Sequence, residues 1–138
     1  MLKSLFPSMN DDKKLSSLLL ALRVIFGLYL AFHGWQKLVG FSTMSSAFPD
    51  PLGIGSELSL VLAIFGELVC SLAFVFGFLF RLSTLPMIFT MMIAYVVAKQ
   101  ELALVYLVLF AIIYIAGPGK YAFDSVIGQW ANMKFRKK

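Results

Sequence analysis

The sequence predicts an all-α protein, an integral membrane four-helix bundle with a short basic C-terminal interfacial segment. Three observations carry that expectation. Of the 138 residues, 60% are hydrophobic, against roughly 45–50% in a soluble domain. Charged residues make up 14%, well below the ~25% usual in soluble proteins. The apolar residues also fall into long runs separated by short polar or Gly/Pro-bearing breaks. The length suits one domain. The net charge is +5, carried mostly near the chain ends. Together with the absence of any nucleic-acid-binding pattern, this points to the lipid bilayer as partner and to no nucleic acid.

Residues 1–14, MLKSLFPSMNDDKK, read as a short cytoplasmic lead. The first apolar run covers about 15–39. It is longer than the 7–15-residue core of a cleaved signal peptide and ends in HGWQKLVG rather than a small-residue cleavage site, so it reads as a retained spanning helix. The segment 41–56, FSTMSSAFPDPLGIGS, holds two prolines and two glycines and breaks the helix. The second run, 57–80, is followed by Arg81 at a tight turn. The third, 82–98, has Pro86 near its start, where proline is tolerated. After KQE at 99–101 comes the fourth, 101–117, stopped by Gly117-Pro118-Gly119. A spanning helix needs about 17–25 residues. The first two runs qualify directly, and the last two need residues from their flanks. These four helices make one transmembrane domain, 15–117, followed by a basic tail, 118–138.

The basic residues set the expected orientation. With both termini inside, Lys3, Lys13, Lys14, Arg81, Lys120, Lys134, Arg136, Lys137 and Lys138 face the cytoplasm, and only Lys37 and Lys99 face outward. That is a clear positive-inside bias. In the tail, Tyr121, Phe123, Trp130 and Phe135 stand beside four terminal basic residues. This suits a short helix on an anionic leaflet; a frayed basic tail is the alternative.

Polar residues inside the runs are the candidate site. On a helical wheel Gly27, Leu30, Gly34 and Lys37 lie within about 40° of Arg23, and His33 lies about 80° to one side. Two glycines and two cations therefore share a face. Glycines admit a close neighbouring helix, and a charge in the span faces the bundle rather than lipid. Glu67 is the acidic residue deep in the second run. Arg23 is about 12 Å above the inner start of its run, and Glu67 about 20 Å from Phe80. An Arg23–Glu67 ion pair is the expectation. His33 and Lys37 belong to the outer half. His33 leans to a bundle-facing role in proton movement or ligand binding, whereas Lys37 reads equally as an interfacial anchor and as a site residue. On the inner side, Asp124 either caps the tail helix or pairs with Arg81. The single cysteine, Cys70, forms no internal disulfide, redox pair or metal cluster, and no metal site is expected.

The stretch LRVIFGLYLAFHGWQKLVGF resembles the opening of the DoxX family of small bacterial membrane proteins. In that family the first helix reads R, then G, then HG with K three residues on. Here these are Arg23, Gly27, His33, Gly34 and Lys37. An acidic residue in a glycine-containing second run and a glycine-then-arginine turn match Glu67, Gly77 and Arg81. GPG followed by an aspartate matches Gly117, Pro118, Gly119 and Asp124. The resemblance spans about 15–124. It implies a four-helix membrane subunit linked to redox work. Some members resemble a subunit of a thiosulfate:quinone oxidoreductase, and another is associated with an oxidative-stress complex containing superoxide dismutase and a sulfurtransferase. The disulfide-handling relatives carry paired cysteines, so that activity does not transfer to this chain.

The function expected on these grounds is a redox-associated membrane subunit. It binds a quinone-like or other apolar ligand between helices, with Arg23, His33, Lys37 and Glu67 at its oxygens, and acts with a partner oxidoreductase. No intrinsic cofactor is expected, and a quinone is the compatible ligand. The alternative is a non-enzymatic binding or assembly protein whose buried polar residues fix helix register. A transporter ranks last. Glycine-rich faces serve contacts within one chain or between chains, so a homo-oligomer stays open.

Overall fold

The computed structural model describes residues 12–135. Residues 1–11, including Lys3, and the tail cations Arg136, Lys137 and Lys138 lie outside the described residues. The described chain is helical, without strands. Helix α1 is Asp12–Val39. A four-residue turn of helix, α2, spans Phe41–Met44. Helix α3 runs Ser56–Phe76, with a π-turn at Phe65–Val69. Helices α4, Phe80–Ala98, and α5, Glu101–Ala116, follow, and α6, Phe123–Phe135, ends the described chain.

The four long helices alternate in direction, and α3 packs between α1 and α4, with α5 against α4. Helix α5 closes on α1 through large side chains, Tyr106 lying against Phe26 and Tyr29. Helices α1, α3 and α4 are long and apolar enough to cross a membrane. With 16 residues, α5 is about 24 Å long at the usual helical rise.

Glycine explains the closest approaches. A Cβ on Gly34 would sit 2.6 Å from the backbone nitrogen of Leu68, and one on Gly27 would sit 2.5 Å from Val75 Cγ2. Side chains there would drive α1 off α3, so the shared glycine face expected from the sequence is the seam of the bundle. The centre is apolar, with Leu30, Phe74, Phe80, Met87, Phe110 and Ile113 buried. Large apolar residues such as Ile25, Phe32, Leu82, Val105 and Ile115 are exposed around the outside. Polar atoms sit inside as well: Arg23, Glu67, Ser71 and Thr84 are buried. An apolar exterior around a partly polar interior is the arrangement a bilayer favours.

Helix α3 ends four residues earlier than its hydropathy suggests. Gly77, at φ +69°, takes the left-handed conformation, the N–H of Phe78 bonds Ala73 O at 2.9 Å, and that of Gly77 bonds Phe74 O at 3.1 Å. This is a glycine-terminated helix end of the Schellman type. Phe78 and Leu79 remain apolar but lie in the turn.

Candidate functional site

Polar groups gather at two places. The first is the end of the bundle that carries both termini. Arg23, fully buried, donates from Nε to Phe74 O at 3.0 Å, from Nη1 to Pro118 O at 2.7 Å and from Nη2 to Val75 O at 2.7 Å. Phe74 and Val75 stand in the last turn of α3, where carbonyls lack intrahelical partners. The guanidinium thus caps α3 and ties it to the Gly117-Pro118-Gly119 turn. Its charge also faces the carboxylate of Asp124 through space and lies 5.9 Å from the centre of the Phe80 ring.

Asp124 completes this clasp. Its carboxylate accepts from the N–H of Leu79 at 3.0 Å and of Phe80 at 2.7 Å, capping α4 rather than the tail helix. It holds Leu79 in a left-handed conformation at φ +45°, and its own N–H bonds Gly77 O at 3.0 Å. Arg81 does not pair with it; the Arg81 guanidinium stacks 5.8 Å from the ring centre of Tyr114. The expected Arg23–Glu67 pair is absent. The first three turns of α1 extend past the end of α3, with Ser16 against Lys120 and Gly119. Arg23 is therefore level with the α3 terminus, not with its middle.

The second place is a cavity of about 660 Å³ between α3 and α4, roofed by the α1–α3 connection. Its walls are mainly apolar, including Leu62, Phe65, Pro86, Phe89, Ile93 and Val97. Leu62, Phe65, Phe89 and Val97 are also among the exposed apolar residues, so the cavity opens sideways where lipid would lie. The roof contributes Met44, Phe48, Pro49 and Leu52.

The roof is pinned by Asp50, which accepts from Ile54 N–H at 3.0 Å, Gly55 N–H at 2.7 Å and Ser59 Oγ at 2.8 Å. These bonds, that from Gly55 foremost, hold the Asp50 carboxyl below its ordinary pKa.

Lys37 and Glu67 are the charged residues in the lining, and Lys37 Nζ donates to Glu67 Oε2. Glu67 is buried, and the Lys37 side chain keeps 24% of its surface. Glu67 owes its place to the π-turn, where Cys70 N–H reaches back five residues to Phe65 O. Such a turn adds a residue to the helix and redirects its side chains. Gly34, one turn from Lys37, lets this part of α3 come close, and Ser71 Oγ donates to Glu67 O and to Leu68 O, the latter at 3.0 Å. The pair leaves Lys37 with spare N–H donors and Glu67 with a spare acceptor oxygen inside an apolar chamber.

Of the sequence candidates, the cavity brings together Lys37 and Glu67. Arg23, Arg81 and Asp124 lie at the opposite end. His33 is outside the lining; its ring meets Tyr29 edge-on at 5.1 Å. Its Nε2 is buried with no hydrogen-bond partner among the described residues. Sequence reasoning missed Ser59, Thr90 and the roof residues. A hydroxyl in an apolar run was the available signal for the first two. No cluster of three or more metal-ligating side chains occurs among the described residues.

No curated protein and no solved structure matches the chain. The family model described as DoxX matches residues 18–100. That span runs from α1 to the end of α4 and contains Arg23, Gly34, Lys37, Glu67 and Gly77. With well over half its length matched and its apolar helices arranged as a membrane bundle, the chain belongs to the DoxX family.

Proposed function

We propose that this DoxX family membrane protein binds a quinone-like apolar ligand in the α3–α4 cavity and works with a partner oxidoreductase. The observation that carries the reading is one chamber combining apolar walls, a lateral opening and a single ion pair, Lys37–Glu67. A ring lying among Phe65, Phe89 and Ile93 would offer a carbonyl to Lys37, while Glu67 would exchange protons with the ligand. The electrons would come from the partner. The chain would sit in the bacterial cytoplasmic membrane with both termini inside, as its basic residues favour.

The second reading is a non-enzymatic assembly protein. Arg23 favours it, since all three of its bonds go to backbone carbonyls of the same chain. Mass spectrometry of molecules extracted from the purified protein separates the two. Near-stoichiometric quinone in the wild type, lost in Glu67→Gln, supports ligand binding. A folded protein without it, together with a Glu67→Gln variant that only loses stability, supports assembly.

A further inference from the structure

The hydroxyls of the cavity specify its ligand more narrowly. Thr43 Oγ1 bonds Gly40 O at 2.9 Å, Ser59 Oγ bonds Asp50 Oδ1 at 2.8 Å, and Thr90 Oγ1 bonds Pro86 O at 2.8 Å. The partners are two carbonyls and the Asp50 carboxylate, whose pKa is lowered chiefly by the Gly55 N–H, and none of them donates. Each hydroxyl has therefore spent its one proton on the protein and faces the cavity as an acceptor only. Glu67 adds a carboxylate acceptor. The side-chain donors left in the lining are the remaining N–H groups of Lys37 and the amide of Gln100.

A ketone or ether oxygen can use Lys37 but leaves the second oxygen of Glu67, the one Lys37 does not reach, without a donor. A hydroxyl satisfies both halves of the ion pair, accepting from Lys37 and donating to Glu67. We propose that the cavity selects an apolar molecule ending in a hydroxyl, a phenol or alcohol, whose tail lies between α3 and α4. This rests on the cavity being a ligand site. It adds that the reduced, hydroxyl-bearing form of a ring ligand is held more tightly than its carbonyl form. The discriminating group is the proton offered to Glu67.

The test is native mass-spectrometric titration of the full-length protein with 4-octylphenol, with its methyl ether 4-octylanisole, and with a decyl-substituted benzoquinone. The ether keeps the acceptor oxygen and loses the proton. One phenol should bind per chain, at least about tenfold more tightly than the ether, the worth of one hydrogen bond to a charged group. The preference should fall to about twofold or less in the double variant Lys37→Met/Glu67→Leu. That change removes both charges together and leaves neither buried alone. Equal binding of phenol and ether, or a preference that survives in the double variant, overturns the proposal while leaving the cavity a ligand site. Binding of the quinone but not the phenol does the same. Failure of all three probes to bind overturns both the proposal and the ligand-binding reading.

Discussion

Replacing Arg23 with methionine separates a structural arginine from a ligand-binding one. The side chain makes three charge-assisted bonds, to Phe74 O, Val75 O and Pro118 O. Phe74 O keeps the N–H of Gly77 at 3.1 Å, so two carbonyls lose the donor that served them. At ~1–3 kcal/mol per buried group left unsatisfied, the gross loss is about 2–6 kcal/mol. Methionine recovers part of this because a guanidinium no longer has to be desolvated, which sets the expected net loss at about 2–4 kcal/mol. Arg23→Lys should fall between, since a point donor cannot span three carbonyls. The assay is reversible unfolding in mixed micelles, run as a double-mutant cycle with Glu67→Gln. Arg23 and Gly34, which packs against Glu67, are eleven residues apart, about 16 Å along α1. The two losses should therefore add within ~0.5 kcal/mol. A loss below about 1 kcal/mol for Arg23→Met, or a coupling above ~1 kcal/mol with Glu67, would refute the clasp.

Three further predictions follow from the same contacts. Gly34→Val should lower the unfolding midpoint by an amount worth about 1–3 kcal/mol or more, because its Cβ meets the Leu68 and Glu67 backbone at 2.6 and 2.8 Å; an unchanged midpoint contradicts the seam. Asp124→Ala should cost about 0.5–2 kcal/mol as a lost helix cap and speed hydrogen exchange at the Leu79 and Phe80 amides, and unaltered exchange there would exclude the capping role. Asp50 should stabilise the roof at and above the ordinary carboxylate pKa of about 3.9, because its folded pKa is depressed; that contribution is lost as pH falls through the folded value. The Ile54 and Gly55 amide resonances should titrate with a midpoint below that ordinary value, and a midpoint at or above it counts against the staple.

The helices were legible because hydropathy and breaker residues report them directly. The glycine seam was legible too, since the periodicity of Arg23, Gly27, Gly34 and Lys37 puts them on one face whatever that face meets. Relative depth was not. A run length gives no register between helices, and counting from Phe80 placed Glu67 within reach of Arg23. The chain instead turns at Gly77, and the first turns of α1 project past α3. Arg23's partners are backbone carbonyls, which no side-chain pattern reveals. The π-turn that places Glu67 beside Lys37 depends on tertiary packing at Gly34 and Gly66. The Pro/Gly-rich connection read as a helix breaker, and its second role, roofing a cavity through Asp50, needs the fold to bring Ser59 beneath it.

Binding of an apolar ligand in the α3–α4 cavity, with Lys37 and Glu67 in its wall, is the proposal on which the others rest. Photo-cross-linking the full-length protein in bilayers with an azido-quinone, followed by peptide mapping, tests it most directly. Labelling is expected on α3 around Phe65 and on α4 around Phe89 and Ile93, competed by unlabelled quinone and lost in Lys37→Met/Glu67→Leu. Labelling centred on His33 and Tyr29, or labelling that unlabelled quinone does not displace, would contradict it.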